Sequence, residues 1–163
     1  MGCEIERKFL VRDSSWRAAA TGKIKIVQGY AETSGSIGTI RVRIIDDRTA
    51  RLTLKGKAHG IARSEFEYPI PLPDAQAMLE EFCGTARVEK VRYFVPDSDN
   101  LVWDIDEFTG ANAGLVVAEI ELPAPDTPVP RPQWLGEEVT GNPRFGNGEL
   151  SRRPYSTWPK EDN

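Results

Sequence analysis

Hydrophobic and polar residues alternate along most of the first 122 positions of the chain. In the stretch 39–45, Ile40, Val42 and Ile44 fall on one parity, and Arg41 and Arg43 fall on the other. A two-residue period is typical of a β-strand with one apolar and one polar face. The pattern predicts eight strands, at residues 3–11, 23–31, 39–45, 51–57, 63–68, 88–94, 101–108 and 115–122.

Helical spacing occurs in only a few places. Ala75, Met78, Leu79 and Phe82 recur at intervals of three and four, and Gly84 follows where a C-cap belongs. This predicts one long helix from about residue 73 whose apolar stripe packs on the core. Shorter helices are predicted over 14–20 and 143–152.

Short turns between the predicted strands favour a mainly β (α+β) fold. Eight strands joined in this way indicate an antiparallel barrel or a strongly curved sheet, with the helices packed outside and the last helix near one mouth. The proline-rich residues 123–132 form a surface linker. The 163 residues fit one domain, with strands over about 2–122 and a C-terminal linker and plug over 123–163.

One parity of the predicted strands collects nearly all the charge. Its members are Glu4, Glu6, Lys8, Arg41, Arg43, Lys55, Lys57, Arg63, Glu65, Glu67, Lys90, Arg92, Asp104, Asp106, Glu119 and Glu121. On patterning alone this face is either the solvated outside of a β-sandwich or the lining of a barrel. A charged interior has to be paired, wet or filled by a ligand, because isolated buried ions are too costly.

The first strand carries the motif Glu4-Ile5-Glu6-Arg7-Lys8. Two carboxylates about 6.6 Å apart on one strand face repel by roughly 2.5 kcal/mol at an effective dielectric near 20. A positive partner is therefore expected between Glu4 and Glu6. The eighth strand repeats the Glu-Ile-Glu pattern with Glu119 and Glu121.

These charges suit a complex of metal and phosphate. Arginine offers a forked donor to phosphate oxygens and lysine a point charge, so basic residues on several strands fit one polyanion. Carboxylates are hard oxygen ligands for Mg²⁺ or Mn²⁺, which usually bind a few carboxylates together with substrate phosphates.

Composition excludes several other classes. The net charge of −4 argues against a nucleic-acid binder, and no apolar run is long enough to span a membrane. Cys3 and Cys83 are expected to be reduced core residues, and His59 a surface residue of a glycine-flanked turn. The sequence shows no signal peptide, so the expected compartment is the cytoplasm.

The chain resembles a known family in the order of several motifs. Glu4-Ile5-Glu6-Arg7-Lys8 is similar to the ExExK signature of the CYTH domain, the triphosphate tunnel metalloenzymes. Gln28-Gly29-Tyr30, Arg41-Val42-Arg43, Leu54-Lys55-Gly56 and the later strands follow in the family's order over about residues 2–150. The resemblance implies an eight-stranded antiparallel tunnel with a polar lumen.

The resemblance also implies roles for individual residues. Glu4, Glu6 and a glutamate of the eighth strand, Glu119 or Glu121, would hold the metal. Glu65, Glu67, Asp104 and Asp106 would position the basic side chains or a second metal. Either a second metal or a lumen carboxylate would activate the attacking water. The residues expected to bind the phosphate chain are Lys8, Arg41, Arg43, Lys55, Arg63, Lys90 and Arg92, and the group expected to act in catalysis is Lys8, Glu65, Glu67, Lys90 and Asp106.

The expected activity is Mg²⁺- or Mn²⁺-dependent hydrolysis of inorganic triphosphate by a monomer or homodimer. Alternatives are a class IV adenylyl cyclase, a thiamine or nucleoside triphosphatase, and a polyphosphate-binding module without turnover. Tyr30, two residues after Gln28, either reaches the lumen or packs the end of the barrel.

Overall fold

The computed structural model describes residues 5–33, 38–57 and 64–159. Predictions for Cys3, Glu4, His59 and Arg63 lie outside these ranges. No helix in the described residues is both long and apolar enough to cross a membrane. The strands are β1 (Ile5–Val11), β2 (Gly22–Ala31), β3 (Thr39–Ile45), β4 (Thr49–Lys55), β5 (Glu65–Ile70), β6 (Arg87–Pro96), β7 (Val102–Phe108), β8 (Val116–Leu122) and β9 (Leu135–Glu138).

All nine strands form one antiparallel sheet in the order β5-β4-β3-β2-β6-β7-β8-β1-β9. The predicted eight strands and the mainly β architecture are confirmed. The ninth strand was not predicted, and the sheet is not closed by hydrogen bonds because β5 and β9 are its two edges in the described residues. Its curvature nevertheless brings polar side chains of β1 to β8 around one cavity.

The apolar parity of the strands packs on the outside of this curved sheet. Phe9 and Trp103 meet edge to face with ring centroids 5.7 Å apart, and Trp103 meets Trp134 in the same way at 5.4 Å. Phe9 and Trp103 are fully buried and Trp134 nearly so. Because these outward residues of β1 and β7 are covered by other parts of the chain, the charged parity of these strands is the one that turns inward.

The predicted long helix is present, but its last turn is wider than an α-helix. Helix α1 (Leu72–Met78) continues directly into a π-helical turn, Leu79–Cys83. Ala75 and Leu79 are buried as predicted, whereas Phe82 is 61% exposed and Cys83 takes the buried position. The prediction for Phe82 was wrong because the wider turn rotates the buried face by one residue.

The predicted helix at 143–152 consists of two pieces, a 3₁₀ turn (Pro143–Phe145) and helix α2 (Asn147–Arg152). Phe145 and Leu150 are buried in a cluster with Val88, Phe108 and Leu115. Helix α2 contacts β2 and β6, and residues 146–148 line the cavity. The C-terminal segment therefore forms part of the cavity wall.

An ion pair fixes the edge strand β9 to β1. Arg7 donates from Nε to Glu138 Oε1 at 2.5 Å and from Nη2 to Glu138 Oε2 at 2.8 Å. The hydrogen bonds from Arg7 hold the pKa of Glu138 at about 2, well below its ordinary value. Arg7 is on the outward parity, so it serves the attachment of β9 and takes no part in the cavity.

Candidate active site

A cavity of about 880 Å³ lies inside the curved sheet. Side chains from all of β1 to β8 line it, which is the arrangement expected of an inward-facing charged parity. The lining residues are Glu6, Lys8, Tyr30, Thr39, Arg41, Arg43, Lys55, Glu65, Glu67, Lys90, Arg92, Asn100, Leu101, Val102, Asp104, Glu119, Glu121, Gly146, Asn147 and Gly148.

Asp106 lies behind the cavity wall and not on it. It is fully buried, and its carboxylate accepts from Lys90 Nζ at 2.5 Å and from Arg92 Nε at 2.7 Å. Burial alone would raise the pKa of Asp106, but the charge of Lys90 and the hydrogen bond from Arg92 outweigh it and lower that pKa. Asp106 is not among the residues that line the cavity. Its contacts with Lys90 and Arg92 are those expected of a carboxylate that positions basic side chains, and its role in catalysis stays a prediction.

Glu119 connects the cations of two strands. It pairs with Lys8 Nζ at 3.1 Å and with Arg92 Nη2 at 3.1 Å. Burial opposes ionisation, yet the nearby cations lower the pKa of Glu119, so the group is ionised at neutral pH. Lys8 also donates to the carbonyl oxygen of Phe145 at 3.4 Å, which joins β1 to the C-terminal segment.

The Glu6 carboxylate is compensated only in part by nearby cations. It lies opposite Glu121 in the β1–β8 register, and no hydrogen bond or ion pair holds its carboxylate within the part of the chain described. Burial and then repulsion from Glu119 raise the pKa of Glu6 to about 7. The charges of Lys8 and Arg92, and then of Lys55, partly offset this rise. Because Lys55 lies on β4, β4 and β1 act on each other electrostatically although they are not neighbours in the sheet.

The opposite wall carries two arginines that are poorly neutralised. Arg41 donates from Nη2 to Thr53 Oγ1 at 3.2 Å and lies 3.5 Å from Glu67 Oε2. Its Nε is buried and has no partner among the described residues. Thr53 is itself fully buried and donates to Glu67 at 3.0 Å, which fixes the Glu67 carboxylate. On the same wall Lys55 pairs with Glu65 at 2.8 Å.

Arg43 is held by a neutral partner. Its Nε donates to Gln28 Oε1 at 2.8 Å, and the Gln28 amide donates to Tyr30 Oη at 2.8 Å. Burial and the nearby charges of Arg41 and Arg92 lower the pKa of Arg43 to about 10. No carboxylate in the described residues forms an ion pair with Arg43.

Sequence reasoning left some of these contacts undetermined. Tyr30 lines the cavity, which decides between its two predicted positions. The network around Gln28 was not predicted, although its alternation with Tyr30 on β2 was the available signal. Asn147 was missed entirely, since nothing local to the sequence connects α2 to Lys90.

Most of the other predicted site residues lie around the cavity. Glu4 and Arg63 are outside the described residues. Within those residues no three acidic side chains converge closely enough to hold a metal ion by themselves. The remaining predicted site residues, apart from Asp106, all line the cavity: Glu6, Lys8, Arg41, Arg43, Lys55, Glu65, Glu67, Lys90, Arg92, Glu119 and Glu121.

Residues 2–155 match the family model of the CYTH domain. The chain belongs to the CYTH domain family. It is 41% identical over 158 residues to an inorganic triphosphatase of Acetivibrio thermocellus, an alignment that covers 97% of this chain and 99% of the relative. It is 33% identical over 152 residues to an inorganic triphosphatase of Nitrosomonas europaea, covering 91% and 96%.

The CYTH fold is also supported by a solved structure. The crystal structure of an inorganic triphosphatase superposes with a TM-score of 0.67 at 31% identity, covering 93% of this chain and 95% of that one. The family assignment made from the motif order is thereby confirmed. In this CYTH domain, the cavity inside the sheet corresponds to the tunnel that the family resemblance implied.

Proposed function

We propose that this CYTH domain hydrolyses inorganic triphosphate to pyrophosphate and phosphate in the cavity, with the help of a divalent metal ion. One observation carries the proposal: Arg41 and Arg43 point into the cavity with more positive charge than their described partners neutralise. A polyanion bound in the cavity supplies the missing negative charge. The names of the two curated relatives give the reaction.

The phosphate chain is bound by cations of four strands in the described part of the chain. Guanidinium groups bind phosphate oxygens through two parallel hydrogen bonds, and lysines add point charges. The proposed binding residues are Lys8, Arg41, Arg43, Lys55, Lys90 and Arg92, together with Arg63. Because every one of these contacts is to phosphate, the site needs no nucleobase for affinity.

The carboxylates of β1 and β8 fit a divalent metal ion. Glu6, Glu119 and Glu121 are hard oxygen donors at one cavity wall. Burial and then the charge of Glu119 raise the pKa of Glu6, and a bound cation would favour its ionised form. Mg²⁺ usually binds one or two carboxylates plus substrate phosphates, so a cluster of three is not required. We propose that Glu6 and Glu119 or Glu121, with Glu4, hold Mg²⁺ or Mn²⁺.

A divalent metal ion held by these carboxylates would neutralise charge that develops on the phosphate oxygens. The protein's own contribution is to position the substrate, because phosphoryl transfer depends chiefly on alignment and charge stabilisation. Glu65 holds Lys55, Glu67 holds Arg41, and Asp106 holds both Lys90 and Arg92. These carboxylates keep the cations extended towards the bound phosphates.

The decisive experiment measures phosphate release from tripolyphosphate by the purified protein with Mg²⁺ or Mn²⁺ and with a chelator. We expect metal-dependent turnover, loss of turnover in Glu6→Gln, and weakened binding in Arg43→Ala. Arg48→Ala is the matched control, because Arg48 is exposed in the turn after β3. Binding of tripolyphosphate without phosphate release would overturn the hydrolase assignment and leave a polyphosphate-binding module.

Incubation with other substrates tests the alternative activities of the family. Incubation with ATP and measurement of cyclic AMP tests the adenylyl cyclase alternative, and thiamine triphosphate and ATP hydrolysis test the organic triphosphatases. We expect tripolyphosphate to give the highest kcat/KM. It stays a prediction that residues 1–163 form one CYTH domain. It also stays a prediction that the protein acts as a monomer or homodimer in the cytoplasm and binds neither nucleic acid nor membranes.

A further inference from the structure

Lys90 is held from two directions by groups on different parts of the fold. Its Nζ donates to Asp106 Oδ2 on β7 at 2.5 Å and to Asn147 Oδ1 on α2 at 3.0 Å. The Lys90 side chain is only 1% exposed. Asn147 lies between Gly146 and Gly148, and all three residues line the cavity.

An ammonium group has three N–H donors. Two of them are occupied by Asp106 and Asn147, so the third is the one available to a ligand in the cavity. The four-carbon stem of a lysine is flexible and does not by itself fix the direction of the ammonium group. Two acceptors at different sides of Nζ therefore decide where the third donor points.

Asp106 alone does not fix that direction. Its two oxygens also accept from Arg92, Oδ1 from Nε at 2.7 Å and Oδ2 from Nη2 at 2.8 Å. With Asp106 shared in this way, the second constraint on Lys90 comes from Asn147. We propose that Asn147 is a positioning residue that orients the Lys90 ammonium towards the bound phosphates, an inference that rests on the proposed triphosphatase function.

Helix α2 does not depend on Asn147 for its own position. Leu150 is fully buried, and its carbonyl oxygen accepts from the Asn112 amide at 3.3 Å. Ser151 donates to the Gly148 carbonyl at 2.6 Å within the same helix. Replacement of Asn147 by alanine therefore removes the contact with Lys90 and leaves the packing of α2 in place.

Ser151→Ala is the matched control, because it removes a hydrogen bond of the same helix without touching Lys90. We expect Asn147→Ala to lower kcat about tenfold or more, because the substitution removes one hydrogen bond to a charged group. KM should change far less. Ser151→Ala should keep both constants within about twofold. Equal effects of the two variants would overturn the proposal.

A double-mutant cycle tests whether Asn147 acts through Lys90. In a Lys90→Met background, Asn147→Ala should cause no further loss of kcat/KM, since the group that Asn147 orients is absent. An undiminished loss in that background means that Asn147 acts elsewhere, and it overturns the proposal.

A readout independent of activity separates this inference from the proposed function. The ¹⁵N signal of the buried Lys90 ammonium should be unchanged in Ser151→Ala and shifted or lost in Asn147→Ala; an unchanged signal in Asn147→Ala overturns the inference. Wild-type protein that releases no phosphate contradicts the proposed function, while the ammonium signal still decides the contact. This comparison needs only the Asn147 and Ser151 variants, so it remains valid if Lys90→Met does not fold.

Discussion

Gln28 accepts a 2.8 Å hydrogen bond from Arg43 Nε directly across the β2–β3 pair, and it is fully buried. Its amide nitrogen donates to the hydroxyl of Tyr30 at 2.8 Å. A neutral acceptor fixes the direction of the guanidinium without cancelling its charge. Arg43 therefore presents its full charge to the cavity, in contrast to Arg92, which is paired with three carboxylates.

Gln28→Ala is expected to raise KM for tripolyphosphate about tenfold, because Arg43 loses the acceptor that aligns it. The effect should be smaller than that of Arg43→Ala, which removes the cation itself. Steady-state kinetics of the two single variants and the double variant check this. Additive effects on KM would show that Gln28 does not act through Arg43.

Asp106→Asn is expected to lower the free energy of unfolding by about 3–5 kcal/mol, since it leaves buried cations without their main counterion. Asp104→Asn is the matched control. Among the described residues Asp104 forms an ion pair only with Arg92, at 2.9 Å, and its side chain is 34% exposed. Its loss should cost about 1 kcal/mol or less. Urea denaturation measures both values, and similar losses would contradict the special position of Asp106.

Gly29→Ala is expected to destabilise the fold by about 1–3 kcal/mol through overpacking. An added Cβ at Gly29 would lie 2.7 Å from Leu79 Cδ2 and 2.8 Å from Cys83 Cβ, in the π-helical turn. At Gly22, on the same strand, the nearest atom would be 3.8 Å away, which is an ordinary contact. Thermal unfolding should therefore separate Gly29→Ala from Gly22→Ala; equal melting temperatures would argue against the close packing.

Metal binding is expected to release protons below neutral pH. Burial and Glu119 raise the pKa of Glu6 to about 7, so near pH 6 Glu6 is mostly protonated and must lose about one proton to bind a cation. Metal affinity should therefore fall as the pH drops below about 7. In the metal-free protein the same shift makes the unfolding free energy decrease as the pH rises from about 4.5 to 7.

Calorimetric titration with Mg²⁺ or Mn²⁺ in buffers of different ionisation enthalpy measures this proton release. Glu6→Gln should show none, and its unfolding free energy should lose the corresponding dependence on pH. Proton release that persists in Glu6→Gln would assign the titration to another group.

The period-two pattern was enough to predict β1 to β8 and to decide which side chains share a face. It also put Lys8, Arg41, Arg43 and Glu119 on one face, and the family resemblance was needed to predict that this face lines a cavity. Parity does not determine depth, so it could not show that Asp106 is fully buried behind the cavity wall. The sequence could not reveal that two longer cations cover this short carboxylate.

Contacts between elements that are far apart in the sequence could not be predicted either. Strand β9 has only four residues and begins three residues after Pro132, so its pattern is too short to predict. It is held beside β1 by contacts between distant parts of the chain, which include the strand pairing and the Arg7–Glu138 ion pair. The Asn147–Lys90 contact is of the same kind, and the π-helical turn that exposes Phe82 packs closely against β2.

The position of β1 between β8 and β9 has a consequence for how the protein folds. Ile5 pairs with Leu122, and Phe9 pairs with both Ala118 and Glu138. Pairing between residues so far apart in the sequence costs loop-closure entropy before the new contacts stabilise the fold, and it slows folding. The strand that carries Glu6 and Lys8 cannot pair with β8 and β9 until residues 116–138 have been made, so the cavity wall that it forms is completed only when most of the chain is present.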